Sequence, residues 1–514
     1  MKLPRLTGLL AGCLALALPV FADSPVGQFA SHADIGAPAI AGSTSYDASL
    51  QTYRMSAAGS NIWGASDQFQ YASSVLQGDF IVRARVEFIG QGVDPHRKLG
   101  WMARATLDND SPYVDACVHG DGSTSLQFRR VKGGPTEQIQ LGIKGGDVIQ
   151  LERRGNTYIF SSARYGETFT STTLADLDLG AELNVGLFLC AHNAKVTEEA
   201  LVRDVRIVQP PKAGYVPYRD YLGAHLEILN VHTGQLEIVH SSPEQFEAPN
   251  WLPDGKTLIV NVSGPGPNKG QLKTYNLVTK TVGPLDTGTI GRNNNDHVLT
   301  FDGKMLGVSI HTPEDGGRSV VYKLPSQGGA PVRVTKNSPS YFHGWSPDGK
   351  WMVYTGGRKE QPGDKADKYD IYKISADGGD EIRLTNSPGL SDGPEFSPDG
   401  KYIYFTSTRT GLMQVYRMKP DGSEQEQVTN DEFNNWFPHI SPDGRWIALI
   451  SFTQDVKADQ HPYYQQVYIR LMPITGGKPR VIAYVFGGQG TINVPSWSPD
   501  CRHLAFVSNT DGLK

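Results

Sequence analysis

Trp345-Ser346-Pro347-Asp348-Gly349 is one of six copies of a five-residue phrase in the C-terminal part of this 514-residue chain. The others are Trp251-Leu252-Pro253-Asp254-Gly255, Leu299-Thr300-Phe301-Asp302-Gly303, Phe396-Ser397-Pro398-Asp399-Gly400, Ile440-Ser441-Pro442-Asp443-Gly444 and Trp497-Ser498-Pro499-Asp500-Cys501. Successive aspartates stand 48, 46, 51, 44 and 57 residues apart. Pro, Asp and Gly make a tight turn, and an apolar strand pattern flanks each copy. That combination at that interval is the signature of a β-propeller blade. A propeller does its work at the mouth of its central channel.

Before the first phrase, Leu226 to Asn230 and Leu236 to Val239 form a hairpin around Thr233-Gly234. After the sixth phrase, one further strand ends near Phe506-Val507-Ser508. The expected arrangement is therefore six blades. The last is assembled from two inner strands of the C-terminus and two outer strands from residues 224–240. Closing the ring in this way removes exposed sheet edges. Cys501 stands where four other copies have a turn glycine after Pro-Asp. A positive φ is expected there, at a cost of roughly 1 kcal/mol for a side chain.

Counting back from each turn aspartate sorts the residues by role. Three before it stand Trp251, Leu299, Trp345, Phe396, Ile440 and Trp497, which should pack between blades. Five before it stand prolines, except for His297 and His343. Seven before it stand Glu247, Asn295, Tyr341, Asp392, Trp436 and Asn493, a polar and aromatic ring. His439, Glu395 and Asp296 lie beside these positions, and the longer loops 356–369, with Arg358, and 454–465, with His461, should wall the same face. The flexible Gly487-Gly488-Gln489-Gly490 leads into the last blade. Expected ligand contacts are thus Glu247, Asn295, Asp296, Tyr341, Asp392, Trp436, His461 and Asn493. His297, His343 and His439 are candidate ligands of a divalent metal, because neutral imidazoles with carboxylates suit such ions. With Asp392 they are also candidate catalytic groups for proton transfer.

Residues 23–208 read as strand after strand. Phe80, Val82, Ala84, Val86 and Phe88 alternate with polar neighbours, and Arg154-Gly155-Asn156 joins two strand-like runs. Eight or more strands in this span indicate a β-sandwich. Pro210-Pro211-Lys212-Ala213-Gly214 marks a stiff linker over residues 209–218, and the propeller is assigned 219–514. Trp63 and Trp101 read as core residues, with sugar stacking as the other role open to an indole.

Met1 to Arg5 is basic, Leu6 to Phe21 is apolar, and Val20-Phe21-Ala22 fits a signal-peptidase site. Residues 1–22 are therefore expected to be a signal peptide. Leu10-Ala11-Gly12-Cys13 also matches a lipobox, although the apolar run continues past it. No later stretch has the ~20 apolar residues of a membrane helix, so a periplasmic or secreted protein is expected. Cys117, Cys190 and Cys501 are too few for a disulfide framework; Cys117 and Cys190 read as a pair or as two small buried hydrophobes. The net charge of −5, without basic clusters, argues against nucleic acid.

The turn phrases and their spacing resemble the TolB-type (PD40) repeat over about 290 residues, which implies a six-bladed propeller. Asn61-Ile62-Trp63-Gly64, Ser66-Asp67-Gln68-Phe69, Gly78-Asp79-Phe80 and Leu99-Gly100-Trp101-Met102 resemble a concanavalin-like, laminin-G-like jelly roll, a fold often found beside carbohydrate-active domains. TolB proper carries an α/β domain before its propeller, so its envelope role does not transfer. Oligogalacturonate lyases, propellers of similar repeats with a histidine-rich metal site in the channel, resemble this chain in architecture and residue type, without a residue-by-residue match. Two functions follow as expectations. One is binding of a glycan or envelope protein at the channel mouth. The other is a lyase or hydrolase of acidic oligosaccharides. The His-Glu-x-x-His and Gly-Lys-Ser patterns are absent.

Overall fold

The computed structural model describes residues 25–217, 219–263 and 270–513. The expected signal peptide, residues 1–22, lies outside them. Among the described residues the protein is all-β, with two single-turn 3₁₀ segments, Pro313–Asp315 and Asp511–Leu513, as its helical elements. No helix there is long and apolar enough to cross a membrane.

The N-terminal unit consists of two packed seven-stranded antiparallel sheets. One runs, edge to edge, Ser31–Ile35, Phe69–Gln77, Glu182–Cys190, Lys98–Arg104, Tyr113–His119, Ser123–Arg129 and Thr136–Lys144. The other runs Thr170–Leu174, Thr157–Ala163, Val148–Arg154, Phe80–Ile89, Glu198–Val208, Thr52–Ala57 and Ser43–Asp47. Phe80, Val82, Ala84 and Val86 point into the shared core and meet Leu99, Trp101, Val114 and Leu187 of the facing sheet. Trp101 is fully buried in that core, whereas Trp63 is 42% exposed and departs from the expected core role. Cys117 and Cys190 are buried, unpaired thiols in an apolar cluster with Phe69, Tyr71 and Met102.

The C-terminal unit is a six-bladed propeller. Five blades are four-stranded meanders, beginning with the inner strands Gln245–Trp251, Arg292–Leu299, Ser340–Trp345, Ser391–Phe396 and Asn434–Ile440. The sixth combines Leu236–Ser242, Gly223–Asn230 and His503–Thr510 with the segment around Trp497, which bridges to Leu504. The closure expected from residues 224–240 is therefore present.

The phrase chemistry explains its recurrence. In the third blade the Ser346 hydroxyl donates to Asp348 at 2.6 Å, the Lys350 amide donates to the same carboxylate oxygen, and the Trp351 amide donates to Ser346. Blades four to six repeat the Ser–Asp bond. Serine and aspartate thus satisfy turn donors that the ladder leaves open. The residue after aspartate is left-handed in all six turns, with φ from 60° at Cys501 to 70° at Gly400 and Gly444.

The tryptophans three residues before the aspartate join blades. Trp251 donates its indole N–H to the Ser496 carbonyl at 3.0 Å, Trp345 to Val298 at 2.9 Å and Trp497 to His439 at 3.0 Å. Each acceptor stands four residues before the aspartate of the preceding blade. A bulky side chain here fills the gap between sheets and keeps its polar atom satisfied.

The two units are tied together at the ring closure. Arg206 from the N-terminal unit donates to Glu227 of the closing strand Gly223–Asn230 at 2.5 Å, both being buried. Ser508, on the strand beside it, also donates to Glu227. Phe169 packs on Tyr468 and Tyr484 of the fifth blade.

Candidate functional site

All five complete blades interrupt the inner strand at nearly the same place. The register shifts between Glu247 and Asn250, Asn293 and His297, Phe342 and Gly344, Asp392 and Glu395, and Trp436 and His439. A bulge adds an unpaired residue and re-aims the side chains around it. In three blades the turning residue is left-handed: Ala248 (φ 57°), Gly393 (φ 61°) and Phe437 (φ 50°). Side chains at the start of each inner strand are thereby directed toward the axis.

The result is a cavity of about 670 Å³ at the propeller mouth. Of the eight expected ligand contacts, Glu247, Asn295, Asp296, Tyr341, Asp392, His461 and Asn493 line it. The correction is Trp436, which is fully buried beneath the wall. His461 stacks on its ring at 4.4 Å, so Trp436 supports a lining residue.

The metal trio His297, His343 and His439 requires a larger correction: the structure separates the three side chains. His297 has no exposed surface and lies outside the cavity, its ring set among backbone groups of Ala248, Ile259 and Asn295. Burial lowers its pKa to about 4. His439 is held in the blade wall, with Nδ1 2.8 Å from Glu395 Oε2 and Nε2 2.5 Å from the Ile492 carbonyl. His343 alone of the three lines the cavity. Among the described residues, no group of three or more His, Cys, Asp or Glu side chains could hold a metal ion. Arg358 is likewise structural, pairing with Glu381 at 2.7 Å and donating to the Pro339 carbonyl.

His343 Nε2 lies 3.4 Å from Asp392 Oδ1, which also accepts from Thr355 Oγ1 at 2.6 Å and from the Gly393 amide at 2.7 Å. Burial opposes charge on both groups. The pair nevertheless ends with Asp392 below its ordinary range and His343 above its own, because each partner favours the other's charged form. Asp296 is pushed up to about 6, chiefly by burial, with the Asp392 charge adding to it and His343 opposing it. Glu247 is raised by burial against the hydrogen bonds it accepts from Ser263 at 2.8 Å and Tyr463 at 3.0 Å. Burial lowers His461.

Other lining residues were not among the expected contacts. Asn261 and Thr355 stand seven residues after a turn aspartate. They pair directly with Glu247 and Tyr341, which stand seven before it. That mirror register about the turn was available in the sequence and would have found them. Tyr463, on the same long loop as His461, and Gln489, in the glycine-rich segment, also line the cavity. Gly490 lets that segment approach: a Cβ there would lie 2.3 Å from Glu247 Oε2.

A family model described as the TolB beta propeller domain matches residues 362–467. An uncharacterized protein of Agrobacterium fabrum (strain C58) is 42% identical over 283 residues, covering 55% of this chain and 91% of its own length. A solved structure from Agrobacterium tumefaciens, described provisionally as TolB, is also 42% identical. It superposes with a TM-score of 0.51 over 56% of this chain and 99% of that one. The chain belongs to the TolB-like β-propeller family. The Tol-Pal system protein TolB of Bordetella pertussis shares 50% identity with this TolB-like chain over 46 residues, 9% of this chain and 10% of that protein.

Proposed function

We propose that this is an exported protein, periplasmic or secreted, whose propeller mouth binds a saccharide. The N-terminal pair of sheets is read as a concanavalin-like jelly roll. The observation that carries the reading is the composition of the cavity wall. Asn295, Asp296, Asp392 and Asn493 place planar amides and carboxylates beside Tyr341 and Phe437. Carboxylates and amides bond neighbouring hydroxyls, and aromatic faces pack against the C–H surface of a sugar ring. An envelope protein offering a loop to the same mouth is the other expected occupant. The test is titration of the full chain with a panel of oligosaccharides, alongside Asn295→Ala, His343→Ala and Asp392→Ala. Each substitution should weaken binding at least about tenfold; unchanged affinity in all three would remove the site.

A second reading, a glycosidase-type enzyme, is favoured by one observation. Asp296 and Asp392 both interact with His343, yet one is pushed up to about 6 and the other held down. Two carboxyl groups with divided protonation are the requirement for acid–base work on a glycosidic bond. New reducing or unsaturated ends should then appear in an oligosaccharide panel and vanish with Asp296→Asn. Their absence across the panel ends this reading.

A further inference from the structure

Three buried amides define what the cavity lacks. Asn293, Asn295 and Asn493 line its wall, and their buried Oδ1 atoms have no hydrogen-bond partner among the described residues. All three side chains are more than nine-tenths buried. Their orientation is set by the nitrogens. Asn295 Nδ2 donates to Glu247 Oε2 at 3.2 Å, Asn493 Nδ2 to Asp296 Oδ1 at 2.6 Å, and Asn293 Nδ2 to Thr287 Oγ1 at 2.8 Å. Flipping either of the first two would set oxygen against a carboxylate, so the oxygens are the free ends. Among the described cavity-lining residues, no fully buried side-chain N–H or O–H is left without a partner. Among the fully buried side-chain atoms of the wall, the unmet demand is for hydrogen-bond donors.

Charge points the same way. Glu247 is held by Ser263, Tyr463 and Asn295, and Asp296 by Asn294 and Asn493, all of them uncharged partners. His343, deep in the wall, sits on Asp392. Arg292 and Asp459, of opposite charge, are exposed lining residues. Three carboxyl groups, Glu247, Asp296 and Asp392, thus stand in the inner wall in a desolvated setting, where an incoming cation gains most. A uronate would bring a further carboxylate to a wall that already holds three.

Resting on the saccharide reading of this cavity, we infer that the occupant is an amino sugar with a free ammonium group, its N–H donors directed at Glu247, Asn295, Asp296 and Asn493. The amine converts orphaned acceptors into charge-assisted bonds, while the remaining hydroxyls are left to the tyrosine-lined side. This departs from the acidic oligosaccharides anticipated from the sequence.

Calorimetric titration of the full chain tests the assignment, with tetramers of glucosamine, N-acetylglucosamine, glucose and galacturonic acid, and with triglycine and N-acetyl-triglycine. Glucosamine tetramer should bind about tenfold or more tighter than glucose tetramer, weaken as salt rises, and exceed the galacturonate by a still larger factor. Glu247→Gln should bring the ratio of glucosamine to glucose affinity down toward one. Asp296→Asn provides a second variant should Glu247→Gln melt early. Equal affinity for glucose and glucosamine, or preference for galacturonate, overturns the ammonium assignment and leaves saccharide binding standing. Tightest binding of triglycine, lost on acetylation, overturns the amino-sugar assignment in favour of a peptide amino terminus. No binding by any saccharide overturns both this inference and the reading beneath it.

Discussion

Cys501 shows how a single residue carries the cost of its position. It occupies a left-handed turn, at φ 60°, that glycine holds in the other five blades. Glycine has no Cβ to strain against the following carbonyl. Cys501→Gly should therefore raise stability by about 1 kcal/mol, read as a shift in denaturant midpoint without a change in slope. His297 tests burial in the opposite direction. Its folded pKa of about 4 lies below the ordinary 6.5, so the unfolded chain binds the proton more readily. The neutral ring's contribution is complete above pH 6.5 and is lost as pH falls toward 4. His297→Leu should flatten the pH dependence of stability across that window, measured by thermal melts at successive pH values. A metal-ligand role would instead show as lost metal content.

At the scale of the element, the inner-strand bulge decides which side chains face a ligand. His297 and His343 hold the same position relative to their turn aspartates, five residues before, yet only His343 lines the cavity. In the second blade the ladder has already resumed at His297, opposite Val308. In the third it resumes at Gly344, leaving His343 inside the bulge. Position in a repeat was legible from the sequence; where each strand absorbs its extra residue was not, because that depends on pairing with the neighbouring strand. Gly393 offers a direct probe. It holds φ 61° beside Asp392, and a Cβ there would meet Phe437 Cδ1 at 3.1 Å. Gly393→Ala should cost about 1–2 kcal/mol and weaken ligand binding by disturbing the Asp392–His343 pair. Stability loss with unchanged affinity would show that the bulge does not set the site.

For the whole molecule, the Arg206–Glu227 pair couples the N-terminal unit to the strand that closes the ring. Removing one member of a buried pair leaves an unpaired charge, typically costing 3–5 kcal/mol, whereas replacing both by apolar groups is often far milder. Arg206→Met should therefore destabilise the protein by about 3–5 kcal/mol. Arg206→Met combined with Glu227→Leu should recover much of it, measured by a double-mutant cycle in chemical denaturation. Equal loss in single and double variants would mean that packing, rather than charge pairing, holds this junction.

The turn phrase, its spacing and the alternation of apolar residues were enough to determine six blades, the shared closing blade and the position of most cavity residues. These features depend on local backbone chemistry: a left-handed turn, a Ser–Asp bond and a period-two strand. Tertiary structure alone decided that His297 and His439 belong to blade walls, that Trp436 lies under His461, and that the unpartnered buried side-chain atoms of the cavity-lining residues are amide oxygens. Those properties arise where side chains from different blades meet across the axis. There, burial and the orientation of each amide are set by partners about fifty residues or more away in sequence.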